Sequence, residues 1–276
     1  MLKINLEHFQ KEIVYPAVLS ESENYIIKLA ETDEELQQTL KLRYKVFNIE
    51  QGKGLQTAQI SEIDLDEFDE FCLQLMIVSK KDGLPVATYR IHLGSVATKA
   101  KGFYSATEYN IKGMDLIASK SIEVGRSCVL PEFRTGGAIA LLWSGIGELM
   151  LRAKMRYLFG CASLEEYCPA ATWAMYRYFC ENGKKTDIIE GTPREKFILE
   201  PSPEEEIKKY YENMTETVKV YQPPLLKGYL RLGSKIAGPP VFDPDFGTID
   251  FLVILDTYTV PDKYKKHYNY NPIQNQ

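Results

Sequence analysis

Short runs of apolar residues that are typical of β-strands alternate along the chain with segments in which apolar residues recur at the spacing of an α-helix. Apolar and β-branched runs predict strands over residues 26–29, 73–79, 84–94, 121–130, 157–163 and 249–255, with further strand character at 13–18. Helical spacing with start and stop signals predicts helices over residues 32–47, 136–155, 169–182, 201–219 and 225–237. Thr32 and Glu35 form a capping box for the first helix, and Asp82-Gly83 predicts a hairpin between two strands.

The segment 95–120 shows neither the apolar runs of a strand nor the apolar spacing of a helix. It is rich in glycine, serine, threonine and lysine with interspersed aromatic residues. This composition predicts an extended loop with one short helix, and a loop of this length is often functional.

Composition and charge narrow the class of protein. The chain has 276 residues, of which 45% are hydrophobic, which is enough to bury a core without metals or disulfides. The net charge of −5 excludes the strong basic excess of a dedicated nucleic-acid binder. Five cysteines without a C-x-x-C pair indicate a reduced protein, and the longest uncharged run, at 135–147, is too short to span a bilayer. We therefore predict a cytoplasmic protein, with peripheral contact at the cytoplasmic membrane face left open.

Several chemistries lack their sequence patterns. None of His8, His92 and His267 has an aspartate five positions later, which disfavours the glycerolipid acyltransferases. No G-x-S-x-G elbow, Walker sequence or G-x-G-x-x-G motif occurs, and no metal-binding constellation is visible. A hydrolase, a nucleotide-binding protein and a metal site are therefore not predicted.

Five short motifs are informative together because of their order and spacing along the chain. They are Arg43 with Phe47 near a helix end, Asp66 with Asp69 in an acidic loop, Arg90 in a strand, Glu123 with Arg126 in the next core strand, and Arg134 before Gly136-Gly137 at a helix start. In order and spacing this set resembles the acyl-homoserine-lactone (autoinducer) synthases, which are built on a GNAT-superfamily acyltransferase core.

The flanking sequence resembles another branch of that fold more closely, the ornithine lipid N-acyltransferases that are often labelled haemolysin-like. Segments that carry this resemblance are residues 42–47, 103–105, 123–134, 157–161, 225–233 and 243–246. The resemblance implies a GNAT-like α/β (α+β) fold, with a central mixed, mostly antiparallel twisted sheet flanked by helices. It also implies an N-terminal extension at 1–24, an acyltransferase core at 25–200 and a C-terminal extension of helix and strand at 201–276, packed on the core.

The same resemblance implies the reaction and its partners. Enzymes of this branch transfer a long 3-hydroxyacyl chain from acyl carrier protein to the amine of a small amino acid. For this chain it implies acyl carrier protein as donor, ornithine or glycine as acceptor, a lyso-aminolipid as product, no bound cofactor and no metal. The basic balance of residues 134–160 suits an acidic carrier protein, and the acidic balance of residues 43–70 suits a cationic amine.

The candidate site residues fall into three groups. Glu123 is the predicted general base and Arg126 its catalytic partner; Arg43, Phe47, Asp66, Asp69 and Arg90 are the predicted amino-acid contacts; Arg134, Gly136, Gly137 and Ala138 are the predicted phosphopantetheine site at a helix N-terminus. On a regular strand Glu123 and Arg126 face opposite sides, so a bulge at Gly125 is expected. Cys128 is predicted to be a packing residue.

Other interpretations stay open at this point. Glu123 and the aspartates could form structural salt bridges, and the glycine turn could simply cap a helix. Within enzymes, the alternatives are an autoinducer-type synthase that uses S-adenosylmethionine and a CoA-dependent N-acetyltransferase. A non-enzymatic haemolysin-like membrane protein is disfavoured, because the chain shows no spanning helix or amphipathic pore segment.

Overall fold

The computed structural model describes residues 3–134, 137–164, 166–262 and 264. The contacts divide the chain into two compact units. The first is built from the segments up to Gly102 and from Ser119 to Arg156, and the second from Phe103 to Ala118 and from Tyr157 to Pro261.

The strands are short to medium in length and are numbered in chain order. They are β1 (Val18–Glu21), β2 (Tyr25–Leu29), β3 (Leu73–Ser79), β4 (Pro85–Leu93), β5 (Tyr109–Lys112), β6 (Ser121–Val129), β7 (Tyr157–Leu164), β8 (Glu190–Pro193), β9 (Lys235–Ile236), β10 (Val241–Asp243) and β11 (Thr248–Asp256).

The α-helices are numbered in the same way. They are α1 (Lys11–Val14), α2 (Asp33–Tyr44), α3 (Ala58–Ser61), α4 (Gly94–Ala97), α5 (Ser105–Glu108), α6 (Met114–Ile117), α7 (Ala138–Arg152), α8 (Pro169–Glu181), α9 (Glu204–Glu212), α10 (Met214–Tyr221) and α11 (Pro224–Leu232). A π-helical segment, Lys45–Glu50, continues directly from α2. Single 3₁₀ turns lie at Leu6–His8, Asp69–Phe71, Ala118–Lys120, Pro131–Phe133, Glu195–Phe197 and Thr257–Thr259.

The first unit is an antiparallel sheet with a helix on each face. Its strands follow the order β1, β2, β3, β4, β6, and every residue of β3 and β4 is buried. Helix α7 packs against β1 to β4, and its Gly145 lies directly over Ile27 and Leu75. Gln74 faces the opposite side of β3 from Leu75, and α2 covers that side. The polar site described below lies under α2.

The second unit joins β7, β11, β10 and β9 in antiparallel pairs, with β5 and β8 as a separate antiparallel pair. A parallel bridge connects Lys185 and Ile236. Helix α8 packs its Phe179 and Tyr176 rings on Phe251 of β11. The predicted arrangement of mostly antiparallel strands flanked by helices is confirmed.

Predictions that depended on local signals are confirmed. Thr32 caps α2 by accepting a hydrogen bond from the N–H of Glu35 at 3.2 Å, and the Glu35 side chain accepts from the N–H of Glu31. The hairpin of β3 and β4 forms around Asp82-Gly83. Helix α8 begins at Pro169 and ends before Asn182, as predicted.

Four predictions are wrong, each for a physical reason. The predicted helix over 225–237 ends at Leu232, because Gly233 adopts a left-handed φ of 101° and residues 235–236 pair with β11 as β9. The N-terminal segment forms helix α1 and then β1, rather than one strand over 13–18. The region 95–120 contains α4, α5, β5 and α6 instead of one short helix, because β5 pairs with the distant β8. The predicted helix over 201–219 is two helices broken at Asn213, whose backbone leaves the helical region at ψ 38°.

Within the residues that the structure describes, no helix combines the length and the apolar character that crossing a bilayer requires.

The close approach of α7 to the sheet gives a test of the packing. A side chain at position 145 would begin 2.7 Å from Ile27 Cγ2 and 2.9 Å from Leu75 Cδ1, both fully buried residues. We expect Gly145→Val to lower the free energy of unfolding by about 1–3 kcal/mol, because overpacking forces the neighbours to move. Denaturant unfolding measures this change.

The matched control is Gly228→Val in α11, where nothing lies within 4 Å of an added Cβ. This variant should unfold close to wild type. Equal stability of the two variants would show that α7 does not approach the sheet as described.

Candidate active site

A buried ion-pair network centred on Arg43 joins α2 to the acidic loop ahead of β3. The Arg43 guanidinium donates through Nε to Asp64 Oδ1 at 2.7 Å and through Nη1 to Asp69 Oδ1 at 2.6 Å. None of these three side chains has exposed surface. Gln74 on β3 also donates to Asp69 Oδ1, at 2.9 Å, and the N–H of Asp66 donates to Asp69 Oδ2 at 2.9 Å. The loop is therefore fixed to both α2 and the sheet.

Asp66 connects this network to two strands. Arg90 of β4 donates to Asp66 Oδ1 at 2.6 Å, and Arg126 of β6 donates to Asp66 Oδ2 at 2.9 Å. Arg90 also lies 3.4 Å from Asp69 Oδ1, and Arg126 Nε lies 3.4 Å from Asp64 Oδ1. The Asp66 side chain keeps 13% of its surface exposed, more than the others. It is the carboxylate through which a small molecule could reach the network.

The opposite charges keep the network ionised. Burial acts to raise the pKa of Asp66, but the charges of Arg90 and Arg126 outweigh it and hold that pKa well below its usual value. Burial is outweighed in the same way at Asp69, whose pKa the charges of Arg43 and Arg90 lower. Burial acts to lower the pKa of Arg43, yet the neighbouring carboxylates raise it above its ordinary value. Each charge thus stabilises the ionised form of its partner.

A β-bulge in β6 aims Arg126 at this network. The register between β4 and β6 shifts between Thr88 and Arg90, so residues 126 and 127 of β6 lie opposite one residue of β4. Arg126 has a φ of 51°, in the left-handed region. The bulge lets Glu123 and Arg126 serve the same face of the sheet. A bulge was predicted at Gly125; the structure has it one position later, at residues 126–127, while Gly125 stays paired with Arg90.

Glu123 lies next to His92 across the β4–β6 ladder. The two residues are Cα partners, and Glu123 Oε2 is 3.9 Å from His92 Nδ1. Their side chains are only 6% and 2% exposed. Burial and the charge of Arg90 lower the pKa of His92 to about 4, against the opposing effect of Asp66. The imidazole is therefore neutral at neutral pH, and the carboxylate beside it can act as a base.

The predicted donor site lies at the start of α7. Ala138 opens this helix of 15 residues, and Gly137 precedes it without a side-chain cap. Arg134 binds both carboxylate oxygens of Glu50, at 2.5 and 2.8 Å, and keeps 42% of its side chain exposed. Gly136, also predicted here, lies outside the described residues. The helix N-terminus and the guanidinium together offer positive potential to a phosphate.

Phe47 and Cys128 belong to an apolar cluster beside the network. Phe47 sits on the π-helical segment and packs, half-buried, against Leu42, Val46 and Cys128. Burial raises the pKa of the Cys128 thiol, so this thiol is protonated at neutral pH. Its surroundings fit the predicted packing role.

The structure brings the predicted residues into two groups. The first contains Arg43, Asp66, Asp69, Arg90, Glu123 and Arg126 with Phe47 at its side; the second contains Arg134, Gly137 and Ala138. Arg43 and Asp69 are enclosed by their partners and have no exposed side-chain surface. Their direct contact with a substrate amino acid therefore stays a prediction.

Three further residues contact the first group, and none of them was among the predicted site residues. Asp64 stands two positions before Asp66 in the same acidic loop, and Gln74 is a polar residue in a wholly buried strand. His92 follows Arg90 by two positions, and therefore shares its face of β4. Each signal was present in the sequence, but its meaning depended on knowing which strands pair.

The second unit holds its own buried polar cluster. Possible ligand atoms of Glu108, Cys161 and Asp250 all lie within 4.8 Å of one another. Burial, with the charges of Glu108 and Asp250, raises the pKa of the Cys161 thiol well above its usual value. Sequence analysis did not predict this cluster.

Comparison with known proteins agrees with the geometry. The model of the Acetyltransferase (GNAT) domain matches residues 42–144, a segment that includes the whole charged network and the start of α7. Among solved structures, the AHL synthase LasI aligns with 92% of this chain and 100% of its own, at 11% identity and a TM-score of 0.49. The mostly antiparallel sheet flanked by helices is therefore a GNAT-like fold.

Curated relatives specify the family. The L-ornithine N(alpha)-acyltransferase of Brucella abortus (strain 2308) is 32% identical over 252 residues, which cover 88% of each chain. The enzyme of the same name from Agrobacterium fabrum is 31% identical, over 87% of this chain and 84% of its own length. This chain belongs to the L-ornithine Nα-acyltransferase family.

The network gives a testable expectation for stability. Arg43→Met removes the cation and leaves Asp64 and Asp69 as buried carboxylates without their main partner. We expect a loss of about 3–5 kcal/mol in the free energy of unfolding, as is found when one member of a buried ion pair is removed. Chemical denaturation at neutral pH measures it.

Arg177→Met is the matched control, because Arg177 makes a two-point contact with Glu204 at the surface. Exposed ion pairs contribute little, so this variant should match wild type. If Arg43→Met unfolded at the same denaturant concentration as this control, the network would not be holding the fold.

Proposed function

We propose that this protein transfers a long-chain 3-hydroxyacyl group from acyl carrier protein to the α-amine of ornithine, which gives an N-acyl ornithine. Its membership in the L-ornithine Nα-acyltransferase family is the observation that carries the proposal. The charged network and Glu123 supply the chemistry that such a reaction needs. The sequence analysis also left glycine open as an acceptor.

Glu123 is the proposed general base. The amine nitrogen attacks the thioester carbonyl, a C–N bond forms, and the nitrogen must lose a proton. The Glu123 carboxylate takes that proton, directly or through one water. When the C–S bond breaks, the same proton passes to the departing sulfur, which releases the thiol of the carrier and restores the carboxylate. A buried carboxylate beside a neutral imidazole is suited to this step, because no adjacent imidazolium weakens it as a base.

The bulge in β6 is the proposed source of oxyanion donors. Residues 125–127 are the half-buried part of a strand whose other residues are buried. The bulge interrupts the ladder at this point, and backbone N–H groups there can turn toward the developing negative charge. The Arg126 guanidinium adds positive potential beside them.

The acceptor is proposed to bind over Asp66. Three guanidinium groups face four carboxylates in the site, those of Asp64, Asp66, Asp69 and Glu123. This surplus of one negative charge favours a cation. An amino acid with a second ammonium group supplies one, and its α-carboxylate can approach the arginines.

The carrier protein is proposed to dock where α7 begins. Arg134, Gly137 and Ala138 would hold the phosphate of the phosphopantetheine arm. The Arg134 side chain is exposed enough to reach a ligand while it keeps its contact with Glu50. Because the proposed product is an amphiphile, we propose that the reaction takes place at the cytoplasmic face of the membrane.

The first test identifies the product. Purified protein is incubated with 3-hydroxypalmitoyl carrier protein and an equimolar mixture of ornithine, glycine, lysine and S-adenosylmethionine, and the products are read by mass spectrometry. We expect N-acyl ornithine as the main product. We expect Glu123→Gln to form it about 10²- to 10⁴-fold more slowly, because the amide cannot accept the proton.

Glu132→Gln serves as the control, because Glu132 is exposed just beyond β6. It should retain wild-type turnover. Acylation of another amine would correct the acceptor, and full activity of Glu123→Gln would remove this residue as base. If the protein formed only acetylated amines, and only from acetyl-CoA, then acetyl-CoA would replace acyl carrier protein as the donor.

The donor site has its own prediction. Arg134→Ala should raise the KM for acyl carrier protein without lowering kcat, because it removes a positive charge from the docking site and leaves the reacting groups in place. Arg177→Ala removes an arginine with a similar two-point carboxylate contact and comparable exposure, and should leave this KM unchanged. Steady-state kinetics with varied carrier protein decide the point, and identical KM values for both variants would move the docking site elsewhere.

A further inference from the structure

His92 has no part in the chemistry assigned so far, although it faces the proposed base. Its Cα is paired with that of Glu123 across the ladder, and its Nδ1 lies 3.9 Å from the Glu123 Oε2 atom. Phe68 packs edge-on against the imidazole, with ring centroids 6.5 Å apart. The ring is therefore confined between an aromatic wall and the carboxylate.

The surroundings explain why this imidazole remains neutral. The other titratable and charged groups of the cluster are Asp66 and Asp69 in the acidic loop, Cys72 ahead of β3, Arg90 on β4 and Arg126 on β6. The positive charge of Arg90 and the burial of the ring lower the pKa of His92 to about 4, against the effect of Asp66. A neutral imidazole carries one ring N–H and can orient a carboxylate without forming an ion pair with it.

We propose that His92 is a positioning residue for Glu123: the ring turns its Nδ1–H toward the carboxylate across 3.9 Å, which is longer than a hydrogen bond, and by this electrostatic contact holds the base in the orientation that accepts the proton of the amine. This inference rests on the proposed function. A cation in the same place would pair with Glu123 and weaken it as a base, whereas an apolar side chain would leave the carboxylate free to turn away. Histidine at this position meets both requirements.

A kinetic cycle tests whether His92 acts through Glu123. We expect His92→Leu to lower kcat about 10- to 100-fold, the effect of a misplaced reacting group, with the KM for ornithine unchanged. His92→Asn should restore most of kcat, since the amide N–H can take the place of Nδ1–H. In a Glu123→Gln background, His92→Leu should have no further effect. Independent, multiplicative losses in the double variant would overturn the proposal.

A spectroscopic measurement tests the same contact without turnover. The ¹⁵N NMR signals of the histidine rings, assigned with His92→Asn, should show His92 neutral at pH 7 and protonated on Nδ1. Glu123→Gln should change this tautomer balance, while the exposed His8 ring stays the same. If His92 were an imidazolium at pH 7, or if its signals did not change in Glu123→Gln, the inference would be overturned.

The two measurements separate the possible failures. If wild-type protein makes no N-acyl ornithine, the proposed function fails, and the NMR result still decides whether His92 holds Glu123. If wild type is active and the kinetic losses multiply, the inference on His92 fails alone. If His92→Leu fails to fold, the kinetics of His92→Asn and the ¹⁵N NMR signals of the histidine rings still test the proposal.

Discussion

The buried contact between Arg43 and its two aspartates is the constraint on which the site depends. A guanidinium without exposed surface is costly to bury unless its charge and its hydrogen bonds are satisfied, and here Asp64 and Asp69 satisfy them. Both belong to the loop ahead of β3, and the contact therefore fixes that loop against α2. Asp66, between them, is held where Arg90 and Arg126 can reach it. One buried cation thus positions four elements of the site.

The bulge in β6 is understandable only together with this network. A left-handed backbone at a residue other than glycine costs roughly 1–2 kcal/mol, and Arg126 adopts one. The contacts of its guanidinium with Asp66 and Asp64 offset that cost. Burial and the charge of Arg90 keep His92 neutral, so Glu123 meets an uncharged imidazole on the same ladder. The network therefore separates structural charges from the one carboxylate that is proposed to react.

Local signals in the sequence were enough for much of the fold. The capping residue Thr32, the turn at Asp82-Gly83 and the proline at the start of α8 act within a few residues, and all were interpreted correctly. The pairing of β5 with β8 joins segments about eighty residues apart, and no local pattern reveals it. His92 shows the same limit for the site: its significance arises from the register of β4 on β6, which the sequence does not contain in readable form.

The charge of the site also bears on which nitrogen of the acceptor reacts. The α-ammonium of an amino acid is more acidic than an ammonium at the end of its side chain, so near neutral pH the α-nitrogen loses its proton more readily. The site has one carboxylate more than it has guanidinium groups, and Asp66 is the most accessible of the paired ones. In the proposed binding mode, a side-chain ammonium that stays charged is attracted to this surplus and remains bound. The α-amine, which can become neutral, is then the group that would meet the proposed base Glu123, and acylation at the α-nitrogen would follow from the difference in basicity.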